Sequence, residues 1–164
     1  MMKWTLLLKP SLVLDMFSSW GYFISYITEL FPNITTHGFD GSITKVEYCR
    51  KKGQTIIYGD VRVVEPTKVY DLVYFYDNLG YFDNPIEIAQ KVAKWGQYVI
   101  FTTPIFESGK IQIELDGGLW KSYIKPEDHY EISGHIGKMV DYEIVTCSIT
   151  ENKWTCSLIK VVPW

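Results

Sequence analysis

The sequence predicts an α/β protein, in which helices pack on both faces of a mostly parallel β-sheet. Strand-like and helix-like segments alternate along the chain, as a parallel sheet with crossover helices requires. Residues 71–76 form a nearly continuous apolar run, which is typical of a central strand buried on both faces. The chain has 164 residues, so we expect a single domain over residues 1–164.

The composition excludes several classes of protein. The apolar content of 47% disfavours a disordered chain, and the net charge of −3 gives no basis for nonspecific nucleic-acid binding. No apolar stretch approaches the roughly 20 residues that cross a bilayer. Three cysteines cannot form a closed disulfide framework. These features predict a cytoplasmic protein without a membrane partner.

The first part of the chain alternates three strands with two helices. The predicted strands cover residues 12–15, 34–39 and 55–58. A helix over residues 20–31 is expected to end before Pro32. Ser42 is a candidate cap for the second helix, which should bury Val46 and Cys49 and end just before Gly53.

The second part of the chain continues this alternation and then closes with a hairpin. The predicted strands cover residues 71–76, 98–103, 142–150 and 153–162. Helices are expected over residues 85–94, with proline in the first turn, and over residues 133–141. Residues 105–132 predict an irregular or weakly β excursion over the carboxyl edge of the sheet, and the hairpin is expected to turn at Glu151-Asn152.

An acid closes each of the first three strands. Asp15 precedes a loop that ends at Gly21, Asp40 closes the second strand and Asp60 follows the third. In a right-handed βαβ unit, strand ends and the helix N-terminus line one crevice. An acid about 20 residues past such a loop is placed to bind a nucleotide ribose. The order therefore predicts a site for a nucleoside-containing cofactor.

Together these segments resemble a class I S-adenosylmethionine-dependent methyltransferase of the small Rossmann-like type, over about residues 10–104 and the closing hairpin. The family has an acid followed by three alternating glycines after the first strand. Asp15, Phe17, Ser19 and Gly21 stand at those positions here. The resemblance implies a seven-stranded sheet in the order 3-2-1-4-5-7-6, with one antiparallel strand and helices on both faces.

The resemblance also implies S-adenosylmethionine as the cofactor. Asp15 would hold its ammonium group or order the loop, Asp40 would accept both ribose hydroxyls, and Asp60 with the Val61 amide would bind adenine. The other implied cofactor contacts are Phe17, Ser19, Gly21, Gly41, Ser42 and Tyr76. Asp77 and Tyr81, which follow the fourth strand, are the candidate catalytic residues on the acceptor side.

The chain departs from the family pattern in three places. Phe17 and Ser19 are bulkier than glycine, so we expect the loop to sit farther back or to take another path. Gly80-Tyr81 stands where many small-molecule members carry Glu-His, so no catalytic histidine is carried over. The chain begins about ten residues before the first strand, which implies an open pocket or one completed by a partner chain, including a second copy.

The excursion over residues 105–132 is the candidate acceptor-binding segment. With Asp77 and Tyr81, it is expected to form the acceptor-side wall; alternatively, its aromatic side chains only pack onto the sheet. The side chains concerned are Trp120, Tyr123, His129 and Tyr130. His129 and His135 are the histidines that could meet substrate, and no spacing predicts a metal site.

His37 and two cysteines are expected to be structural. His37 lies inside the second strand, and Cys147 and Cys156 are expected to be small core residues. If the hairpin turns on Glu151-Asn152 alone, the two cysteines face each other and could be bridged. The sequence leaves this register open.

The leading hypothesis is an enzyme that transfers a methyl group from S-adenosylmethionine to an unidentified acceptor. The alternative is a methyltransferase-like binding module with weak or no cofactor binding, which the replaced glycines at positions 17 and 19 favour. A nicotinamide-dependent enzyme is disfavoured because no G-x-G-x-x-G loop is present.

Overall fold

A seven-stranded sheet forms the centre of the molecule. The computed structural model describes residues 2–105, 114–116, 119–121, 126–146 and 153–161. The first strands are β1 (Leu12–Met16), β2 (Thr35–Asp40), β3 (Thr55–Tyr58), β4 (Tyr70–Tyr76) and β5 (Gly96–Ile105). Then β6 (Glu114–Asp116) and β7 (Leu119–Lys121) form a separate hairpin, and β8 (Lys138–Thr146) and β9 (Lys153–Lys160) complete the main sheet. The helices are α1 (Met2–Leu8), α2 (Tyr22–Leu30), α3 (Ile43–Lys51), α4 (Pro85–Ala93) and α5 (Pro126–Ile136), with a 3-10 helix at Leu79–Tyr81.

The strand order confirms the predicted topology. The order across the sheet is β3-β2-β1-β4-β5-β9-β8. The pairs from β3 to β5 are parallel, whereas β9 is antiparallel to both β5 and β8. The order of the parallel strands reverses between β1 and β4, which is where folds of this kind open a ligand crevice at the carboxyl edge.

Helices cover both faces of the sheet, as predicted. Because side chains alternate along a strand, Val13 and Leu14 of β1 belong to different cores. Val13 packs with residues of α1 and α2, including Trp4 and Ile27. Leu14 packs beneath α4 and α5 in the larger core.

The predicted elements of the first 105 residues are present, with bounds moved by at most two residues. In α3, Val46 and Cys49 are buried, and Gly53 just past its end has a φ of 79°. Ser42 precedes α3, but its side chain makes no capping hydrogen bond. The sequence did not predict α1, which buries Trp4 and Thr5.

The segment before the hairpin agrees with its prediction only in part. The short strands β6 and β7 fit an irregular or weakly β excursion. Residues 126–136 instead form α5, and residues 138–141, for which a helix is predicted, belong to β8. The buried stripe of α5 has helical spacing but includes polar residues, which hide the apolar period. Its buried members are His129, Ile132, Ser133 and Ile136.

The closing hairpin places Cys156 opposite Glu143, and Thr146 opposite Lys153. Cys156 is buried as a free thiol, as expected of a core residue. Cys147 and the expected turn at Glu151-Asn152 lie outside the described residues. None of the described helices is long and apolar enough to cross a membrane.

Candidate functional site

Three acids meet at the carboxyl edge of β1, β2 and β3. Asp15 lies in β1, Asp40 is the last residue of β2, and Asp60 follows β3. Asp15 and Asp40 are buried, with 4% and 7% of their surfaces exposed. These strands are neighbours in the sheet, so the structure brings together the acids that the sequence singled out.

Asp40 ties the loop after β1 to the start of α3. One carboxylate oxygen accepts a hydrogen bond from the Ser19 backbone N–H at 2.8 Å, and the other accepts one from the Ser42 N–H, also at 2.8 Å. The second bond satisfies an amide at the N-terminus of α3 that has no partner within the helix. Asp40 therefore fixes the position of the loop after β1 relative to the start of α3.

The loop after β1 adopts a glycine-like backbone although two of its three key positions are not glycine. The φ angles of Phe17, Ser19 and Gly21 are 61°, 52° and 71°, all in the left-handed region. A side chain in this region destabilises the backbone by roughly 1–2 kcal/mol. Phe17 and Ser19 thus adopt backbone angles that glycine tolerates better. The expectation that the loop sits farther back or takes another path than in the family stays a prediction.

Hydrogen bonds to β2 and to the turn before β3 brace this strained loop. The Ser18 N–H donates to the carbonyl of Phe39 at 2.9 Å, and the Gln54 side-chain amide donates to the carbonyl of Gly21 at 2.9 Å. Gly21 also lacks room for a side chain, because a Cβ there would lie 2.0 Å from Oε1 of Gln54. No local sequence pattern marks Gln54 for this position.

Phe17 directs its ring into a cluster of phenylalanines. Its ring centroid lies 6.3 Å from that of Phe39 in β2, 5.8 Å from that of Phe75 in β4 and 5.5 Å from that of Phe82. Phe17 and Phe82 are both half-buried. These four rings, the phenylalanine cluster, join the loop after β1 to the segment that follows β4.

Asp15 is a buried carboxyl group without a hydrogen-bond donor among the described residues. Its burial, and then the negative charge of Asp40, raise the pKa of Asp15 to about 8. The carboxyl group is therefore mostly protonated at neutral pH. The buried hydroxyl of Tyr76 also has no hydrogen-bond partner within the described structure, and burial is the main cause of its raised pKa. A polar ligand could satisfy both groups.

Asp60 is hydrogen-bonded to an arginine in the same turn. Arg62 donates to its two carboxylate oxygens at 2.9 Å (Nε to Oδ1) and 2.6 Å (Nη2 to Oδ2), and these hydrogen bonds lower the pKa of Asp60. Val61 between them is buried. At the end of β2, Gly41 lies against β3, where a Cβ would come within 3.3 Å of the Gly59 carbonyl.

The candidate acceptor side begins directly after β4. Asp77 has a φ of 43°, and its N–H donates to the carbonyl of Thr102 at 3.1 Å. The 3-10 helix follows, and Tyr81 is 46% exposed there. The backbone of β7 passes within 8 Å of this helix, so part of the excursion borders Tyr81. The side chains of Trp120 and Tyr123 lie outside the described structure.

His129 does not face a substrate, and that prediction is wrong. Its side chain is fully buried and bonds to hydroxyls at 2.8 Å (Thr103), 2.9 Å (Thr155) and 2.7 Å (Ser157). Burial lowers the pKa of His129 to about 4, so the ring is neutral. Its role is to join α5 to β5 and β9.

The remaining histidines and Tyr130 lie in surroundings that differ from those of His129. Tyr130 is exposed, and its ring lies 5.2 Å from that of Tyr142. His135 lies 3.5 Å from the Gln90 side chain, and His37 bonds to the Tyr70 hydroxyl at 3.0 Å, as expected of a structural residue. Within the described residues, no group of three or more His, Cys, Asp or Glu side chains could hold a metal ion.

Comparison with solved structures decides the fold family. The chain superposes on a candidate O-methyltransferase of Nostoc punctiforme with a TM-score of 0.73 and 17% identity, covering 95% of this chain and 53% of the other. Magnesium protoporphyrin IX methyltransferase of Synechocystis, with bound S-adenosylhomocysteine, gives 0.72 and 15%, over 96% and 80% of the two chains. The chain has the fold of class I S-adenosylmethionine-dependent methyltransferases.

The same methyltransferase fold also occurs in a different enzyme. The [4+2]-cyclase SpnF matches with a TM-score of 0.74 and 13% identity, over 98% of this chain and 82% of the other. The chain spans about half the length of the Nostoc protein. The sequence matches no family model and no curated protein. At these identities, the likeness establishes the fold.

Proposed function

We propose that the protein binds S-adenosylmethionine at the carboxyl edge of β1, β2 and β3 and transfers its methyl group to an acceptor. The observation that carries this proposal is the left-handed backbone at Phe17, Ser19 and Gly21. Such strain persists only where surrounding structure enforces it, and it concentrates at ligand sites. The loop thus keeps a shape suited to close approach by a ligand.

Each acid has a distinct role in this proposal. Asp40, already fixed by two backbone N–H groups, has lone pairs left to accept the ribose hydroxyls. Asp15 would hold the ammonium group, whose positive charge would lower the pKa of this carboxyl group and ionise it. Asp60 with the Val61 N–H would bind adenine. Further contacts would come from Ser19, Gly21, Gly41, Ser42 and Tyr76.

When bound, S-adenosylmethionine supplies a methyl group on a positively charged sulfur. The residues of this chain mainly hold the reactants in position, which by itself accounts for a large part of catalysis in such reactions. Asp77 and Tyr81 would orient the acceptor group, because both directly follow β4 beside the crevice. No dedicated base is required for an acceptor that is already nucleophilic.

A binding module that lacks transfer activity is the second candidate function. Phe17 favours it, because a large ring that packs against Phe75 and Phe82 stands where the family pattern has a glycine. The likeness to the cyclase SpnF also indicates that this fold supports activities other than methyl transfer. A cytoplasmic location and a single domain over residues 1–164 stay predictions from the sequence.

Calorimetric titration with S-adenosylmethionine and S-adenosylhomocysteine tests the proposal. We expect saturable binding of both, and its absence in the folded protein would refute a cofactor site. Incubation with methyl-labelled S-adenosylmethionine and fractionated small molecules then separates the two candidates. Labelled product indicates an enzyme, whereas binding without any transfer indicates a binding module.

A further inference from the structure

The ring of Phe17 lies across the point where the strand order reverses. Phe17 is the first residue after β1, and its ring packs against Phe75 of β4 and against Phe82 beyond the 3-10 helix. The reversal between β1 and β4 is where an open α/β sheet forms its ligand crevice. The ring of Phe17 therefore packs at the place where folds of this kind open their ligand crevice.

The backbone beneath Phe17 is fixed, whereas its ring is held only by apolar contacts. Ser18 and Ser19 are hydrogen-bonded to Phe39 and Asp40 through their backbone N–H groups. The Phe17 ring contacts other rings and stays half-buried. The ring can thus rotate about its side-chain bonds while the strained loop stays in place.

The ring also connects the cofactor side of the crevice to the acceptor side. Phe82 directly follows Tyr81, and its N–H donates to the carbonyl of Leu79 at 3.1 Å. Leu79 is buried, so one end of the 3-10 helix is anchored in the core. The Phe17 ring packs against Phe82, just past the other end.

We propose that Phe17 is a gate: ligand binding at the crevice displaces its ring, which releases Phe82 and loosens the segment that carries Tyr81. This inference rests on the proposed function, and it adds that cofactor binding reshapes the acceptor side. The ligand-free protein is then mostly closed. A closed population weakens the apparent affinity by the fraction of molecules that are open.

Hydrogen exchange of residues 79–84 tests the gate in the ligand-free protein. Phe17→Ala should speed exchange there roughly tenfold, the scale of a lost aromatic contact. Phe31→Ala is the matched control, because Phe31 is also half-buried but ends α2 at the opposite edge of the sheet. Phe17→Leu, which keeps apolar volume, serves if the alanine variant is unstable. Unchanged exchange at residues 79–84 in both Phe17 variants would overturn the gate.

Titration with S-adenosylhomocysteine separates the gate from the proposed function. We expect the wild-type protein to bind, its exchange at residues 79–84 to rise on binding, and Phe17→Ala to bind several-fold more tightly. Weaker binding by Phe17→Ala refutes the gate, because the ring would then be a ligand contact. Equal affinity with unchanged exchange also refutes the gate but leaves the proposed function intact. Absence of binding in every folded variant refutes the proposed function.

Discussion

Replacing Asp40 with asparagine tests how the crevice is held together. The carboxylate accepts hydrogen bonds from the N–H groups of Ser19 and Ser42, both at 2.8 Å. Asparagine has one acceptor oxygen, so its NH₂ group would face the other N–H. A hydrogen bond to a charged group contributes about 1.5–3 kcal/mol, and an unsatisfied buried donor destabilises by a similar amount.

We therefore expect Asp40→Asn to lower the free energy of unfolding by about 2–4 kcal/mol. For a domain of this length the melting temperature should fall by roughly 5–15 °C. If Asp40 also binds the ribose, the affinity for S-adenosylhomocysteine should fall roughly 10- to 150-fold. Thermal denaturation and calorimetry at pH 7, below the melting range of the variant, measure the two effects.

Asp71→Asn is the matched control for Asp40→Asn. One oxygen of Asp71 accepts two backbone N–H bonds, from Ser11 at 2.8 Å and Leu12 at 2.9 Å, at the opposite edge of the sheet. This variant should lose stability but keep its affinity for S-adenosylhomocysteine. An Asp40→Asn variant that melts at the same temperature as the wild-type protein would show that Asp40 does not hold the loop in place. The ribose assignment fails if the folded variant binds as tightly as the control.

Three further predictions concern single groups. The pKa of Asp15 is about 8 in the folded protein and 3.8 as a reference, so stability should fall as pH rises from 4 through 8. The loss is on the order of 5 kcal/mol, and urea denaturation of Asp15→Asn should no longer show it. The pKa of His129 is lowered from 6.5 to about 4, so stability should fall by about 3 kcal/mol as pH drops across that range. If a His129→Gln variant still loses this stability as the pH falls from 6.5 to about 4, His129 is not the group responsible. Ser19→Gly should raise stability by up to about 1 kcal/mol, since glycine tolerates the left-handed backbone. A lower melting temperature for Ser19→Gly would show that the serine is not strained.

The sequence was sufficient to predict the sheet and the position of the acids. Apolar runs marked the parallel strands, and Asp15, Asp40 and Asp60 followed three of them. Because parallel strands end at the same edge of the sheet, the residues that close neighbouring strands lie close together in space. Prediction failed for α5, where His129 and Ser133 occupy buried positions of the helical stripe. The hydroxyl partners of His129 come from β5 and β9, which no local pattern records.

The sequence by itself determined which residues reach the carboxyl edge. The spacing of apolar side chains along the chain marks the strands and helices, and so it shows where each strand ends. Only the tertiary structure decided what each residue does there. Register and packing gave Asp40 two backbone partners, left Asp15 without a donor among the described residues, and placed the Phe17 ring against Phe82. The contacts of Asp40 with Ser19 and of Phe17 with Phe82 join residues that are far apart in the chain. They depend on how the strands are ordered and aligned, and this arrangement exists only once the whole sheet has formed.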